Sequence, residues 1–222
     1  MLLKLMFALA LAAFGSQAAA PDIDLTAVAP RNRVREPAAG TITGGLVGQS
    51  GGVVRGKSPL QATLLSVEPS LEAEPHVIFE VQVQNQGNEA IKFPEDPNSA
   101  DFEPKSAALG YGFEFAYIAL FADLKEQGSR FLPGITLYGS EEVEGTLKRL
   151  DPGDSIRIRG RVALKPIGTE RAEAIPSGSP MKASVLLEKA FVSQKKGVLN
   201  QDSDQLAPQI SSPNSIPLSL PQ

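Results

Sequence analysis

Apolar and polar residues alternate most regularly between His76 and Phe93, in the stretch HVIFEVQVQNQGNEAIKF. One side of an extended chain would carry Val77, Phe79, Val81 and Val83, and the other would carry Ile78, Glu80, Gln82 and Gln84. This period of two predicts a half-buried β-strand. The segment Asn85-Gln86-Gly87-Asn88 predicts a turn because these residues tolerate left-handed backbone angles, and residues 90–93 return to a strand pattern. A strand-turn-strand unit with one apolar face needs a second sheet to cover it.

Strand patterns recur at short intervals on both sides of this unit, with turn residues between them. They cover residues 60–67, 113–122, 131–138, 142–150, 155–164 and 183–192. Within residues 113–122 the aromatic residues share one face and Ile118 and Leu120 share the other, which predicts a strand buried on both sides near its end. No segment keeps a helical period, although residues 141–149 come nearest to one. About seven such strands predict an all-β fold, an antiparallel β-sandwich.

The first residues of the chain predict a secretory signal peptide, residues 1–18. Lys4 precedes an apolar run of about ten residues, which is too short to span a bilayer core of ~30 Å as a helix. Small residues follow it, and cleavage after Ala18 fits best. No later segment is long and apolar enough for a membrane helix. We therefore expect an exported protein, periplasmic or extracellular, with no transmembrane segment after signal cleavage.

Composition divides the remaining chain into three parts. Residues 19–58 are rich in proline and then in glycine, which predicts a flexible arm. Residues 197–222 are rich in Ser, Pro, Asn and Gln, which predicts a disordered tail. Residues 59–196 are left as one β-sandwich domain. Because the chain has no cysteine, core burial alone must hold this domain together, and a bacterial lipoprotein anchor is excluded.

Two turn motifs carry a resemblance to a known class of domain. The pattern φ-x-φ-x-φ-x-N-x-G-x-x-x-I-x-F spans Phe79–Phe93, and L-x-P-G-D-S-I-x-I spans Leu150–Ile158. Together they resemble bacterial immunoglobulin-like and fibronectin-type domains, in particular exported modules whose second strand ends in an Asn-x-Gly turn. They are also similar to a small family of bacterial proteinase inhibitors built on such a sandwich. The resemblance covers roughly half of the domain and implies an immunoglobulin-like sandwich that binds or spaces other components.

The sequence offers little for nucleophilic or metal catalysis. His76 is the only histidine, no cysteine or Gly-x-Ser-x-Gly motif is present, and one histidine is a poor basis for a zinc site. We interpret His76 as the first residue of a strand at a sheet edge. The acidic loop at residues 94–110 offers Asp96, Asn98 and Asp101 as weak calcium ligands, but their spacing departs from the helix-loop-helix pattern. We predict no catalytic residue, no metal site and no cofactor.

Charge is distributed unevenly along the chain. Residues 59–154 contain 17 acidic and 6 basic side chains, whereas residues 155–196 contain 3 acidic and 9 basic ones. Arg157, Arg159 and Arg161 must share one strand face if Ile156 and Ile158 face the core. These arginines either pair with carboxylates on neighbouring strands or form an anion-binding patch for an acidic polysaccharide, a lipid headgroup or a protein. Nucleic acid is not an expected partner of an acidic chain that lacks binding motifs.

Three functions follow in order of preference. The first is a non-enzymatic exported protein that binds or scaffolds a protein or anionic component of the bacterial cell envelope. The second is a proteinase inhibitor acting through an exposed loop, for which residues 102–111 and 131–139 are the candidates. The third is a carboxylate-based hydrolase, although no pair of carboxylates stands out and the chain has no tryptophan to stack against a sugar.

Overall fold

A computed structural model describes residues 20–27, 58–71, 75–97, 111–124, 128–165, 175–195 and 198–220. The strands are β1 (Ile23–Asp24), β2 (Leu60–Ser70), β3 (His76–Asn85), β4 (Ile91–Pro94), β5 (Tyr111–Asp123), β6 (Ser129–Phe131), β7 (Ile135–Gly139), β8 (Leu147–Leu150), β9 (Ser155–Ala163), β10 (Pro180–Lys195), β11 (Val198–Ser211) and β12 (Ile216–Pro217). None of the described residues forms a helix, so none forms a helix that could span a membrane. The predicted all-β class is confirmed.

The strands form two main sheets and one small sheet. The first main sheet has the order β1-β9-β3-β2 and is called here the β3 sheet. The second, the β5 sheet, has the order β11-β10-β5-β6, with β7 also paired to β5 and β12 to β10. The small sheet joins β4 to β8. All of these pairs are antiparallel except β1 with β9.

The alternating pattern of β3 forms the centre of the core. Val77, Phe79, Val81 and Val83 are fully buried, as their spacing predicts. Phe79 lies opposite Gly160 of β9, and a Cβ atom at Gly160 would come within 2.8 Å of the Phe79 ring. The missing side chain therefore leaves the room that the phenylalanine ring fills. On β5 every second residue from Ala116 to Ala122 belongs to the same core, and Ala119 and Phe121 are buried on the opposite face. The predicted burial of β5 on both sides is confirmed.

The second half of the central unit does not pair as its pattern suggests. β4 follows β3 after the predicted turn, but it pairs with β8 because β2 and β9 already occupy both edges of β3. Asn85 directs this departure. Its fully buried side-chain amide donates hydrogen bonds to the carbonyls of Glu89 and Leu150, at 2.8 and 2.9 Å, and its Oδ1 accepts one from Gly87.

Both predicted flanks contribute strands to the fold. The prediction of a disordered tail is wrong for residues 198–220, because β11 pairs with β10, β12 adds a further pairing, and Leu218 is fully buried. The predicted arm is wrong at its start, because β1 pairs with β9 and Leu25 is buried. The long β10, of 16 residues, offers a free edge that β11 completes. Residues 28–57 and the predicted signal peptide, residues 1–18, lie outside the described residues.

Two local predictions also need correction. His76 does begin a strand, but β3 lies between β2 and β9, so the predicted edge position is wrong and the residue is buried. Residues 131–139, one candidate inhibitory loop, instead contain β7 and the end of β6, both paired with β5. The other candidate loop, residues 102–111, lies outside the described residues except for Tyr111, the first residue of β5.

Candidate functional site

A cavity of about 300 Å³ opens at the end of the main sheets where β3 finishes and β2 starts. Its walls are mostly apolar, and three of its residues are charged. The lining residues are Pro59, Ala90, Ile91, Lys92, Glu114, Glu141, Leu187, Leu206 and Ala207. The turn after β3 holds Pro59, one of the lining residues, in place, because the backbone N–H of Gln86 donates a hydrogen bond of 2.6 Å to the Pro59 carbonyl.

Strand alternation places Glu114 inside this cavity. Residues 116, 118, 120 and 122 of β5 face the core, and Glu114 lies on the same face before the first of them. Its direct partners in the sheet are Gly139 of β7 and Lys189 of β10. Gly139 has no side chain, and Lys189 is exposed, so neither covers the Glu114 carboxyl group completely.

The Glu114 carboxyl group is buried without full compensation. The residue is only 9% exposed, and its Oε2 atom has no hydrogen-bond partner in the described part of the chain. Burial raises the pKa of Glu114 because a charged carboxylate loses its hydration, while the charges of Lys189 and Lys92 lower it in part and that of Glu141 raises it. A buried carboxyl oxygen without a donor is the strongest sign of function in the described residues.

The mouth of the cavity carries an ion pair of its own. Lys92 Nζ lies 2.6 Å from Glu141 Oε1, and these side chains are 52% and 66% exposed. The hydrogen bond and charge of Lys92 lower the pKa of Glu141. Because Lys92 and Glu141 neutralise each other, the carboxyl group of Glu114 is the unbalanced charge among the lining residues.

This arrangement allows two kinds of chemistry. One is the binding of a hydrogen-bond donor or cation by Glu114. The other is acid–base work, because Glu114 and Glu141 share one cavity and their pKa values move in opposite directions. Among the described residues that line the cavity, none has a histidine, hydroxyl, thiol or aromatic side chain. Among the described residues, no group of three or more His, Cys, Asp or Glu side chains could hold a metal ion.

The three predicted arginines lie on the outer face of the β3 sheet, away from the cavity. Arg157 and Arg161 contact side chains of β3, the adjacent strand, and Arg159 reaches a side chain of β2, the strand beyond it. Arg157 Nε donates to Glu80 Oε1 at 2.7 Å, Arg159 lies 3.6 Å from Glu68, and Arg161 lies 3.2 Å from His76 Nδ1. Their shared face is confirmed. Arg157 and Arg159 lie next to carboxylates, whereas the contact of Arg161 is with a histidine. An anion-binding role for Arg157, Arg159 and Arg161 stays a prediction.

Of the three weak calcium candidates, the structure describes Asp96 alone. Asp96 forms an isolated bridge with Tyr138, in which its backbone N–H donates to the Tyr138 carbonyl at 3.0 Å. Asn98 and Asp101 lie outside the described residues. Glu114 was open to detection from sequence, because it is the single charged residue in the apolar stretch YGFEFAYIALFA. Its proximity to Glu141 and Lys92 depends on strand register, which the sequence pattern does not reveal.

No family model matches this chain, and no curated protein matches it. Among solved structures, β-glucosidase 3B from Thermotoga neapolitana in complex with α-D-glucose aligns with a TM-score of 0.23 and 9% identity, over 69% of this chain and 16% of the enzyme. A Bordetella pertussis protein assigned as ApaA aligns at 0.23 and 11%, over 71% and 98%. AvmM, which catalyses macrocyclization in alchivemycin A biosynthesis, aligns at 0.26 and 11%, over 75% and 92%. At these TM-scores the likenesses carry no argument about this chain.

Proposed function

We propose that this chain is an exported, non-enzymatic binding protein of the bacterial cell envelope, built on an immunoglobulin-like β-sandwich. The observation that carries the proposal is the cavity around Glu114, whose buried Oε2 has no donor in the described chain. Leaving a buried polar group unpaired costs about 1–3 kcal/mol, which a bound donor would offset. The leader pattern of residues 1–18 supports export. The sandwich is supported by the two main sheets and by the turns at Asn85 and Gly153.

Binding fits the composition of the cavity better than catalysis does. Ligand pockets in proteins are mostly apolar, carry a few polar groups that fix orientation, and begin at about 300 Å³. The cavity meets this description, with Ile91, Leu187 and Ala207 along its wall and Glu114 inside. Its size suits a small molecule or a single side chain of a larger partner.

A hydrolase is the second candidate, because Glu114 and Glu141 form a possible acid and base. In that case Glu114, with the raised pKa, would donate the proton, and Glu141, with the lowered pKa, would activate water. Chromogenic esters and glycosides would test this activity. Hydrolysis that Glu114→Gln and Glu141→Gln both abolish would replace the binding proposal. The inhibitor alternative has less support, since residues 131–139 lie in the β5 sheet rather than in a projecting loop.

The binding proposal can be tested by obstructing the cavity mouth. Ala90 is exposed and lines the cavity, so Ala90→Trp should block it without disturbing the core. Ala163→Trp is the matched control, because Ala163 is an exposed alanine at the opposite end of β3, across from His76. The mature protein would be exposed to envelope extract while the methyl NMR signals of Ile91 and Leu187 are monitored. We expect these signals to shift in the native protein and in Ala163→Trp, but not in Ala90→Trp.

Two results would contradict this proposal. Unchanged signals in every protein would show that the cavity binds nothing in the extract. The second involves a variant with Arg157, Arg159 and Arg161 all replaced by glutamine, which should bind as the native protein does. If that variant loses envelope binding while Ala90→Trp keeps it, the arginine face is the binding site and the cavity is not.

A further inference from the structure

We propose that the Glu114 cavity binds an alkylammonium group, either a free primary amine or a lysine side chain of a peptide, an inference that rests on the binding function proposed above. The alkyl chain would lie against Ile91, Leu187 and Ala207, and its ammonium group would donate a hydrogen bond to Glu114 Oε2. The observations behind this assignment are the unpartnered carboxyl oxygen, the charge balance of the lining and the apolar wall.

The charge balance favours a cationic ligand over an anionic or neutral one. Lys92 and Glu141 form their own pair, which leaves the carboxyl group of Glu114 without an ion-pair partner among the described lining residues. An anion would face this carboxylate at close range. A neutral alcohol could satisfy Oε2 but would leave the charge uncompensated. An ammonium group would donate a hydrogen bond to Oε2 and also compensate the negative charge. Such charge-assisted hydrogen bonds are roughly twice as strong as neutral ones.

The wall of the cavity favours a flexible alkyl chain over a ring. The described part of the lining has no aromatic side chain, so it offers a planar or sugar-like ligand no stacking surface. Lysine-like chains commonly lie along apolar surface while their charged head meets a polar group. The ammonium end would meet Glu114, and the rest of the ligand would leave past Ala90 and the Lys92–Glu141 pair.

Lys189 is the cation inside the protein that would compete with this ligand. It is paired directly with Glu114 across β5 and β10, and side chains at paired positions share a face. Its charge lowers the pKa of Glu114, yet its side chain is exposed and Oε2 has no hydrogen-bond partner among the described residues. A ligand ammonium group would take the position that Lys189 does not fill. Removing Lys189 should therefore strengthen amine binding. If Lys189 only supported the structure of the site, its removal would weaken amine binding or leave it unchanged.

The test uses n-pentylamine, with pentan-1-ol and pentanoate as neutral and anionic comparisons of similar length. Binding to the mature protein would be measured from the methyl NMR shifts of Ile91 and Leu187. We expect pentylamine to bind at least about tenfold more tightly than pentanol, and Glu114→Gln to remove this preference. Lys189→Gln should strengthen amine binding several-fold. Lys182→Gln is the control, because this lysine of the same strand pairs with Asp123.

Two further arms locate the source of the amine and test the ionised carboxylate. The peptide acetyl-Gly-Lys-Gly-amide would be compared with its norleucine analogue; tighter binding of the lysine peptide than of pentylamine assigns the site to a protein partner, and the reverse assigns it to a free amine.

Amine binding should also weaken as the pH falls from about 7 to about 4, because Glu114 becomes protonated while the amine stays charged. Lys92, Lys189 and Glu141 are the charged groups that set this titration.

Equal binding of pentylamine and pentanol, unaffected by Glu114→Gln, would overturn the amine assignment but leave a binding cavity in place. Amine affinity that Lys189→Gln leaves unchanged or weakens would also overturn it. If no probe shifts Ile91 or Leu187, the amine assignment fails, and the Ala90→Trp experiment with envelope extract then decides separately whether the binding function fails as well.

Discussion

Glu114 and Glu80 show how one residue type takes opposite roles in neighbouring parts of this protein. Glu80 lies on the outer face of β3 and pairs with Arg157, so its charge is compensated. Glu114 lies on the core side of β5, and its Oε2 has no donor within the described chain. The first carboxylate therefore belongs to an ion pair, whereas ionisation of the second should destabilise the fold.

Replacing Glu114 with glutamine should stabilise the protein at neutral pH. The pKa of Glu114 is raised above its ordinary value of 4.5, so the folded protein holds this proton over a pH range in which the unfolded chain has released it. The free energy of unfolding of the native protein therefore falls as the pH rises through that range, and stays lower above it. Glu114→Gln should be more stable near pH 7, because a neutral amide loses less hydration free energy on burial than a carboxylate, and the difference should shrink towards acid pH.

Urea denaturation over a series of pH values would measure this difference. Glu80→Gln is the matched control and should lower stability at neutral pH, because it leaves Arg157 without its carboxylate partner. A loss of stability in Glu114→Gln at neutral pH would show that the Glu114 carboxylate has an ionic partner in the folded protein.

Single residues also show why sequence pattern predicts burial better than it predicts contacts. The period of two identified every buried valine of β3 and the buried face of β9. It did not identify the fit between Phe79 and Gly160, because a glycine in a strand gives no sign of the side chain that needs its space. The buried amide of Asn85 was visible only as a turn residue, although it joins the Gly87 turn to Leu150 at the end of β8.

Among the strands, β1 has a charged residue beside it that links it to β8 and β9. Asp22, just before it, accepts hydrogen bonds from Lys148 Nζ and from the backbone N–H of Arg157, both at 2.8 Å. The hydrogen bond from Lys148 lowers the pKa of Asp22 below its ordinary value of 3.8. The contribution of Asp22 to docking is therefore fully present at pH values above its pKa in the unfolded chain. It is lost as the pH falls through its lower pKa in the folded protein.

Replacing Asp22 with alanine should loosen β1 while leaving the rest of the β3 sheet intact. The Leu25 amide donates a 2.9 Å hydrogen bond to the Arg159 carbonyl, so its hydrogen exchange reports on docking. We expect this exchange to accelerate about five- to tenfold in Asp22→Ala, because an exposed ion pair and one hydrogen bond are each worth about 1 kcal/mol or less. In the native protein, protection of Leu25 should fall below about pH 4, after correction for intrinsic rates.

Asp151→Ala is the control for this measurement, because Asp151 forms an exposed pair with Arg149 and does not contact β1. If Leu25 exchanges equally fast in native protein, Asp22→Ala and Asp151→Ala, the pairing of β1 with β9 does not depend on Asp22.

The strands that sequence pattern missed are those formed by tertiary context. β1 has two residues, too few to show any period. β11 has the sequence VLNQDSDQLAPQIS, whose polar composition predicts disorder. It becomes a strand because β10 presents backbone donors and acceptors along its edge, with which β11 pairs from Ser184 to Lys195 despite two register shifts near Leu187. Strand propensity depends on such neighbours more than on the residues themselves.

At the scale of the whole molecule, the all-β class followed from local alternation, but the cavity did not. Its lining comes from the start of β2, the segment around β4, β5, the turn after β7, and β10 and β11. Two of the lining residues, Leu206 and Ala207, lie in the predicted tail. The cavity depends on strand register and on β11, which composition predicts to be disordered. Composition therefore could not predict the cavity, even though its central residue, Glu114, stands out in an apolar stretch.

Removal of residues 197–222 should therefore destabilise the whole protein. The shortened chain would lose the β11 pairing along β10 and the buried side chains of Ala207 and Leu218. It would also lose two hydrogen bonds between Asn214 and Leu64: the Leu64 backbone N–H donates to Asn214 Oδ1 at 3.1 Å, and Asn214 Nδ2 donates to the Leu64 carbonyl at 2.7 Å. Loss of one buried leucine side chain alone costs about 2–5 kcal/mol. A domain is held by about 5–15 kcal/mol in total, so a chain that ends at Lys196 should have little stability left.

Circular dichroism and thermal melting would measure this loss, with a chain ending at Leu220 as the control for shortening. The control should melt like the full chain, because it keeps β11, β12 and Leu218. The chain ending at Lys196 should melt far lower or show no cooperative transition, and it should also lose amine binding, since Leu206 and Ala207 line the cavity. If it instead melts like the full chain, β11 and β12 add nothing to the core, and the domain ends at residue 196, as composition alone predicts.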